Sequence, residues 1–361
     1  MRKLIFKLVV FLLPLAGLLA FPVWVFGVSG EWRPVEDLVR TARGSRPVLI
    51  EPAHTDLFGY FKLRSVQERK PEVVSLGSSR VMQFRADFFD TSFFNAGFGG
   101  IRLEGYRQFI ERLAPGDEPG LLILGLDQRF FNPRFTLPPR EFFEDRYPGS
   151  NWIVLTGVWH RIYRDWWSGK FRIADLTGPQ AWNDGTTRIG LGALSHDAGF
   201  RNDGSHHWYW WESHDKDLKD IAGDRGSYIR SKSISEKSLA EIEALLLLCR
   251  ARGIQVAGFL PPFSPQVHDA LKREAPEYAY IFELADRLRP LFDRQGFVFE
   301  DFTDPYASGI DRDGFFDGEH ASEKAYRRLW ERWSRKEPFL GPYRRGPDRR
   351  SYVPAGQEVL K

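Results

Sequence analysis

The stretch that decides the fold is Val73-Val74-Ser75-Leu76-Gly77-Ser78-Ser79-Arg80. A short apolar run rich in valine predicts a buried strand, and the Gly-Ser-Ser turn ends that strand before a polar, helix-compatible segment. The hydroxyl of Ser79 then stands at the carboxyl end of a strand, where open parallel sheets bind their ligands. Gly-Ser turns also end many strands for conformational reasons alone, so the role of this hydroxyl depends on the rest of the chain.

Strand and helix patterns alternate after this stretch. Further short apolar runs predict strands over 91–95, 121–125, 255–260 and 297–299, and amphipathic patterns predict helices over 103–113, 278–294 and 321–335. Strands separated by helices imply right-handed crossovers and a parallel sheet covered on both faces. We therefore expect an α/β domain over residues 71–336.

A weakly periodic insertion interrupts this domain between about residues 128 and 230. It is rich in tryptophan, with four on a predicted helix and three more in the Trp-Tyr-Trp-Trp run at 208–211. Long irregular segments are usually functional, so we interpret the insertion as a cap over the active edge of the sheet. His206-His207 lies within it, but adjacent histidines point in different directions and no acidic residue has ligand spacing, which disfavours a metal site.

The amino terminus has the composition of a membrane anchor. Residues 8–28 carry no charge and follow Arg2, Lys3 and Lys7. This pattern predicts an anchor over residues 1–30, a cytoplasmic amino terminus and an extracytoplasmic main domain, which would be periplasmic in a Gram-negative cell. A cleaved signal peptide is the alternative. We expect a stalk and a packing helix over 31–70 and a flexible basic tail over 337–361.

Composition excludes several classes of protein. The chain has 361 residues, 42% of them apolar, which suffices for a large core, and a net charge of only +3, which disfavours nucleic-acid binding. The single cysteine, Cys249, allows neither a disulfide framework nor a thiolate zinc site. No P-loop lysine or dinucleotide fingerprint is present, so we expect no cofactor and disfavour a nucleotide-binding domain.

Three later motifs suit nucleophilic chemistry at the same sheet edge. Asp317 and His320 are three residues apart, a spacing that can place a carboxylate beside an imidazole at a helix start, although both could instead serve the helix alone. A serine attacks a carbonyl only when such a base takes its proton. The glycine-rich segment 95–100 can offer backbone N–H groups to a substrate, and Leu124-Gly125-Leu126-Asp127 ends the next strand at that edge.

The order Gly-x-Ser, Asn-x-Gly-x-x-Gly, Leu-Gly-x-Asp and Asp-x-x-His resembles the SGNH (GDSL-like) hydrolase superfamily. The resemblance covers 72–335 apart from the insertion and implies a flavodoxin-like three-layer α/β/α sandwich. It also implies Ser79 as nucleophile, His320 as base and Asp317 as the residue that orients His320. The backbone amides of Ser79 and Gly100 would form the oxyanion hole, with Arg80, Asn95 and Asp127 lining the site.

The anchor followed by an extracytoplasmic domain is similar to accessory proteins of polysaccharide and teichoic-acid O-acylation. The resemblance implies an esterase or O-acyltransferase acting on a glycan or an acylated small molecule, with a membrane-bound acyl donor protein as partner. Two positions depart from the pattern, since Asp127 replaces an asparagine donor and Ser78 replaces an aspartate. A carboxylate cannot donate to an oxyanion, so a catalytically inactive glycan-binding or scaffold protein is the alternative.

Overall fold

The computed structural model describes residues 1–55, 58–137, 143, 152–178, 184–208 and 215–345. The helices in these ranges are α1 Arg2–Ser29, α2 Val35–Arg43, α3 Phe58–Arg69, α4 Leu103–Glu111, α5 Trp152–Trp167, α6 Ile173–Thr177, α7 Leu191–His196, α8 Asp215–Ala222, α9 Glu236–Ala251, α10 Pro265–Arg273, α11 Ala279–Arg294, α12 Pro305–Ser308 and α13 Glu323–Lys336. The strands are β1 Val48–Ile50, β2 Val73–Gly77, β3 Phe93–Gly97, β4 Leu121–Gly125, β5 Thr187–Ile189, β6 Gly199–Phe200, β7 His206–His207, β8 Gln255–Leu260 and β9 Val298–Asp301.

The main sheet contains five parallel strands in the order β3-β2-β4-β8-β9. Counted within this sheet, the order is 2-1-3-4-5, which is one of the two common doubly wound orders. The chain adds β3 on one side of β2 and the later strands on the other, so the carboxyl end of β2 lies at the switch point where such sheets bind ligands. The predicted α/β class with a parallel sheet is confirmed.

Both faces of the main sheet are covered, which gives three layers. Alternate residues of a strand point to opposite faces, so Val74 and Leu76 enter one core while Val73 enters the other. The first core is closed by apolar side chains of α4, α9 and α11. The second is closed mainly by Tyr326, Leu329, Trp330 and Trp333 of α13.

A second, mixed sheet was not predicted. It has the order β5-β1-β6-β7, with β1 parallel to β5 and antiparallel to β6. Residues 31–70, interpreted as a stalk and one helix, contribute β1 between α2 and α3, and the supposedly irregular insertion contributes the other three strands. These strands have two or three residues each, which is too short for a periodic pattern to identify.

A buried lysine joins the two sheets. Lys62 of α3 is fully buried, and its Nζ donates to the carbonyl of Asn95 at 2.9 Å and to the carbonyl of Gly204. The ammonium also lies 3.8 Å from the centre of the Phe200 ring in β6. Burial lowers the pKa of Lys62 well below its ordinary value. Gly204 has φ +77°, a conformation open to glycine, and no Cβ would fit against Asn95.

The two chain termini were expected to form an anchor and a flexible tail. Within the described residues no single helix is long and apolar enough to cross a membrane, but the segments Arg2–Pro14 and Ala16–Ser29 of α1, bent by 42°, satisfy the length and composition criteria together. At the other end, Pro338–Tyr343 forms a 3₁₀ helix with Leu340 fully buried against the α13 core. The first part of the predicted flexible tail is therefore folded, and 346–361 lie outside the described residues.

Candidate active site

Ser79 follows directly from the carboxyl end of β2. Ser78 caps the 3₁₀ turn Ser79–Val81, because its Oγ accepts the Arg80 N–H at 3.1 Å. Val81 then packs over Gly125 of β4, where an added Cβ would lie 2.2 Å from a Val81 methyl carbon. This close approach of turn and strand leaves the half-buried Ser79 at the edge of the sheet.

The loop carrying His320 differs from the predicted helix start. Helix α13 begins only at Glu323, with the Ser322 side chain as its cap. Residues 317–320 instead form a tight turn closed by an antiparallel bridge between Phe315 and Ala321. The carboxylate of Asp317 shapes this turn by accepting the N–H groups of Glu319 and His320, each at 2.8 Å.

Ser79, His320 and Asp317 meet although Ser79 and His320 are 241 residues apart in sequence. Ser79 Oγ lies 2.8 Å from Nε2 of His320, and Nδ1 of His320 lies 2.7 Å from Oδ2 of Asp317. Burial opposes ionisation of Asp317, but the hydrogen bonds and charge of His320 and the two loop N–H groups outweigh it and hold its pKa well below the ordinary value. The carboxylate therefore stays charged and favours the tautomer that leaves Nε2 as a proton acceptor.

The two backbone N–H groups expected to form an oxyanion hole have no acceptor in the described part of the chain. They belong to Ser79 and Gly100, whereas the Gly99 N–H is bonded to the carbonyl of Ala96 at 2.8 Å. Phe98 precedes these glycines with φ +66°, a conformation that is strained for a residue with a side chain. Its half-buried ring belongs to a cluster that includes Ile50, Phe200 and Trp208.

Asp127 does not occupy the place of a hydrogen-bond donor. Its side chain is fully buried, and Oδ2 accepts the hydroxyl of Ser78 at 2.7 Å and pairs with Nη2 of Arg129 at 3.0 Å. Its other oxygen, Oδ1, has no hydrogen-bond partner among the described residues. Both departures from the family pattern, Ser78 and Asp127, thus bond to each other.

Arg80 and Asn95 lie at this edge, where their side chains bond to other parts of the protein. The buried guanidinium of Arg80 donates to the carbonyls of Glu319, Pro261 and Pro262 and to Oε1 of Gln128, at 2.7–3.1 Å. The amide of Asn95 donates to the carbonyls of two turn residues, Val81 and Phe84, at 2.9 Å each. Their expected role as site-lining residues stays a prediction, and the donors named here are bonded to protein acceptors.

Side chains that the sequence motifs did not indicate contact the loop of residues 317–320, which we call the histidine loop. Asp217 of α8 accepts the Gly318 N–H at 2.9 Å and the Tyr228 hydroxyl at 2.9 Å. Burial raises the pKa of Asp217 to about 6. Trp208 lies 5.0 Å from the His320 ring, so the insertion does reach the site. Spacing offered no signal for Asp217, which precedes the loop by about a hundred residues in a weakly patterned segment.

Other candidate features lie apart from this site. His206 bonds to Glu51 at 3.0 Å and His207 to Arg201 at 3.0 Å, and the described residues contain no group of three or more metal-ligating side chains. A cleft of about 260 Å³ lies beside the amino-terminal ends of α4 and α9, lined in part by Arg102, Asn132 and Ser238. It does not include Ser79 or His320.

Comparison with known proteins adds no assignment. No protein-family model matches the chain, and no curated protein shows significant similarity to it. The geometry of the site and the motifs in the sequence therefore carry the functional argument.

Proposed function

We propose that this protein is a membrane-anchored serine esterase or O-acyltransferase that acts outside the cytoplasm on ester groups of a cell-envelope glycan. The observation that carries the proposal is the contact of 2.8 Å between Ser79 Oγ and His320 Nε2, with Asp317 at 2.7 Å from the other ring nitrogen. This constellation activates a hydroxyl for acyl transfer irrespective of the fold that bears it.

The reaction proceeds in two steps, acylation of Ser79 and then deacylation. Ser79 Oγ attacks the acyl carbonyl while its proton passes to Nε2 of His320, and the tetrahedral intermediate then collapses as His320 returns that proton to the departing alcohol. In the second step, an incoming water or sugar hydroxyl attacks the acyl carbonyl while His320 takes its proton. The Ser79 ester bond then breaks, and His320 returns the proton to Ser79 Oγ. The N–H groups of Ser79 and Gly100 stabilise the oxyanion in both steps.

Fold and sequence support the same class. The strand order 2-1-3-4-5 is that of flavodoxin-like sandwiches, which the resemblance to SGNH hydrolases implies. The apolar amino terminus supports an anchor, and the resemblance to envelope O-acylation proteins supports a glycan acceptor and a membrane-bound acyl donor protein. Trp208 beside His320 shields the acyl-enzyme from water, which favours transfer over hydrolysis.

The oxyanion hole of this enzyme relies on backbone donors. Asp127 offers no side-chain donor to it, because its carboxylate is bound to Ser78 and Arg129. Loss of one oxyanion donor typically costs about 10²–10³ in rate. We therefore expect slow turnover, and the same observation favours the second candidate, an inactive scaffold of an envelope acylation system.

A fluorophosphonate probe distinguishes the two functions. Covalent labelling of the folded wild-type protein that disappears in Ser79→Ala supports the enzyme. Ser75→Ala is the matched control, because this hydroxyl lies on the same strand but is fully buried. Absence of labelling in folded wild-type protein contradicts the enzyme and supports the scaffold.

A further inference from the structure

Helix α5 packs against the carboxyl-terminal part of α1. Phe21 of α1 lies 5.2 Å from the Tyr163 ring and 5.1 Å from the Trp166 ring. Val25 and Phe26 are fully buried in a cluster that also holds Ile162 of α5. The carboxyl-terminal end of α5 is therefore level with residues 18–21 of α1.

A proline in α1 explains why α5 docks at this level. Pro22 has no N–H, so the carbonyl of Leu18, four residues earlier, has no partner within the helix. The hydroxyl of Tyr163 donates to that carbonyl at 2.6 Å. In an apolar environment an unpaired carbonyl is costly, so this bond ties α5 to one position along α1.

The exposure of α1 changes at the same level. Large apolar side chains between Leu4 and Leu19 are exposed, including Phe6 and Phe11, whereas Val25, Phe26 and Ser29 are buried in the domain. The exposed part spans residues 4–20 and is about 25 Å long at the rise of an α-helix, close to the thickness of a bilayer core. Beyond Phe21, α1 is buried on one side, and exposed apolar side chains continue on the other side at Trp24 and Val28, which are 37% and 45% exposed.

The free face of α5 and the turn after it combine aromatic and basic side chains. Trp159, Trp166 and Trp167 are 37%, 38% and 88% exposed. Four basic residues lie within 157–178, namely Arg161, Arg164, Lys170 and Arg172. The two acidic residues of this segment pair internally, Asp165 with Arg164 and Lys170, and Asp175 with Arg172. We call Trp159, Arg161, Arg164, Trp166, Trp167 and Lys170 the α5 surface.

We propose that the α5 surface lies in the outer headgroup layer of the bilayer that α1 enters, with its indoles at the level of the lipid carbonyls and its basic groups at the phosphates. Tryptophan favours that layer because its ring is apolar and its N–H is polar, and basic side chains favour phospholipid phosphates. The surface is continuous with the exposed apolar part of α1. The inference rests on the anchor in the proposed function and adds a second membrane contact to it.

Depth-dependent quenching in nanodiscs tests this contact with the full-length chain. Three single variants carry an environment-sensitive label on an introduced thiol: Trp167→Cys on the α5 surface, Phe11→Cys on α1, and Leu247→Cys on α9, where the leucine is 52% exposed. The native Cys249 does not compete for the label, because it is buried and burial raises its pKa to about 12. The discs contain phosphatidylcholine and phosphatidylglycerol, with nitroxide lipids bearing the spin near the headgroup or deep in the acyl chain.

The inference requires quenching at position 167 mainly by the shallow nitroxide, at a depth of about 5–10 Å below the phosphates. Position 11 should respond mainly to the deep nitroxide, and position 247 to neither. Quenching at 11 without quenching at 167 overturns the α5 contact and leaves the anchor intact. Absence of quenching at both positions overturns the contact and the anchor together.

Discussion

At the scale of single residues, Asp317 performs two tasks with its two oxygens. Oδ1 accepts the backbone N–H groups of Glu319 and His320 and so shapes the loop, while Oδ2 accepts Nδ1 of the His320 ring. Because the loop fixes the carboxylate and the carboxylate fixes the ring, the orientation of the base toward Ser79 is determined within four residues. The main sheet then places Ser79 next to His320.

Replacing Asp317 by asparagine separates these tasks. The amide oxygen still accepts the loop N–H groups, but its NH₂ group favours the wrong tautomer of His320. We expect kcat for a chromogenic acetate ester to fall by on the order of 10⁴, as for the equivalent change in serine proteases, with little change in melting temperature. A fall in kcat of less than about tenfold would show that Asp317 does not take part in catalysis.

The stability of the fold depends on pH through Asp217. Its pKa of about 6 lies above the ordinary 3.8, so the folded state binds the proton more tightly and the stability contributed by the protonated form is lost as pH rises through 6. Asp217→Asn cannot ionise. The free energy of unfolding of this variant, relative to wild type, should therefore increase between pH 5 and pH 8, as measured by urea denaturation. A pH-independent difference would contradict the assignment.

At the scale of elements, Arg80 ties the strand ends together. Its guanidinium joins the segment after β2 to the backbone after β8, to Gln128 after β4 and to the histidine loop. It also lies 4.6 Å from the centre of the Phe263 ring. The edge that bears the site is thus joined by a side chain as well as by backbone hydrogen bonds, such as that from the Leu126 N–H to the Phe259 carbonyl.

Arg80→Met should destabilise the protein by about 3 kcal/mol or more, because buried carbonyls lose their donors. Thermal unfolding measures this loss. Arg327→Met is a control of similar size at a partly exposed arginine on α13 that is remote from the histidine loop, and we expect a smaller effect there. Equal losses of stability in the two variants would show that the contacts of Arg80 contribute no more to stability than those of Arg327.

The bond between Tyr163 and the Leu18 carbonyl can be tested by a double-mutant cycle. Tyr163→Phe should destabilise the wild-type chain by about 1–3 kcal/mol, because it leaves a carbonyl without a donor. In a Pro22→Ala background the restored N–H pairs with that carbonyl, so the same change should cost less. Additive effects in thermal unfolding would contradict this explanation for the docking of α5.

The main sheet could be predicted from the sequence because each of its strands is a continuous apolar run between turn residues, and β2 and β4 matched within one residue. Ser79 and His320 meet where the carboxyl end of β2 and the loop before α13 lie at one edge of the sheet. The directions of Arg80, Asn95 and Asp127 could not be predicted, because each depends on which backbone groups a single side chain reaches. The second sheet could not be predicted, because β1 pairs with β5 and β6 across more than a hundred residues and all four strands are very short.

At the scale of the whole molecule, α1 continues into the fold without a stalk. The carbonyl of Ser29 accepts the N–H of Gly190 at 2.8 Å, and the buried carboxylate of Glu31 accepts the N–H groups of Ala53, His54 and Leu191 at 2.7–3.2 Å. Burial raises the pKa of Glu31, while these three bonds oppose the rise. The last turns of α1 therefore belong to the domain.

Two truncated chains test where the domain begins. A chain that starts at Phe21 keeps Val25, Phe26 and Glu31 and loses the Tyr163 bond to the Leu18 carbonyl, so it should be less stable than the full chain by no more than about 1–3 kcal/mol. A chain that starts at Arg33 loses them and should be less stable by about 5 kcal/mol or more. If both chains unfolded at the same temperature, the end of α1 would be a tether rather than part of the core.

Phe98 limits how far this protein can be reduced to a smaller domain that keeps the site. Its backbone adopts an unfavourable conformation beside Gly100, and the ring that stabilises it belongs to the cluster with Ile50 and Phe200 of the second sheet. An excised five-stranded sandwich would keep every reactive group yet allow this residue to relax, and the backbone amides would turn with it. The site therefore depends on the second sheet. Transferring the motifs to a smaller scaffold would require another contact that holds the ring of Phe98 in place.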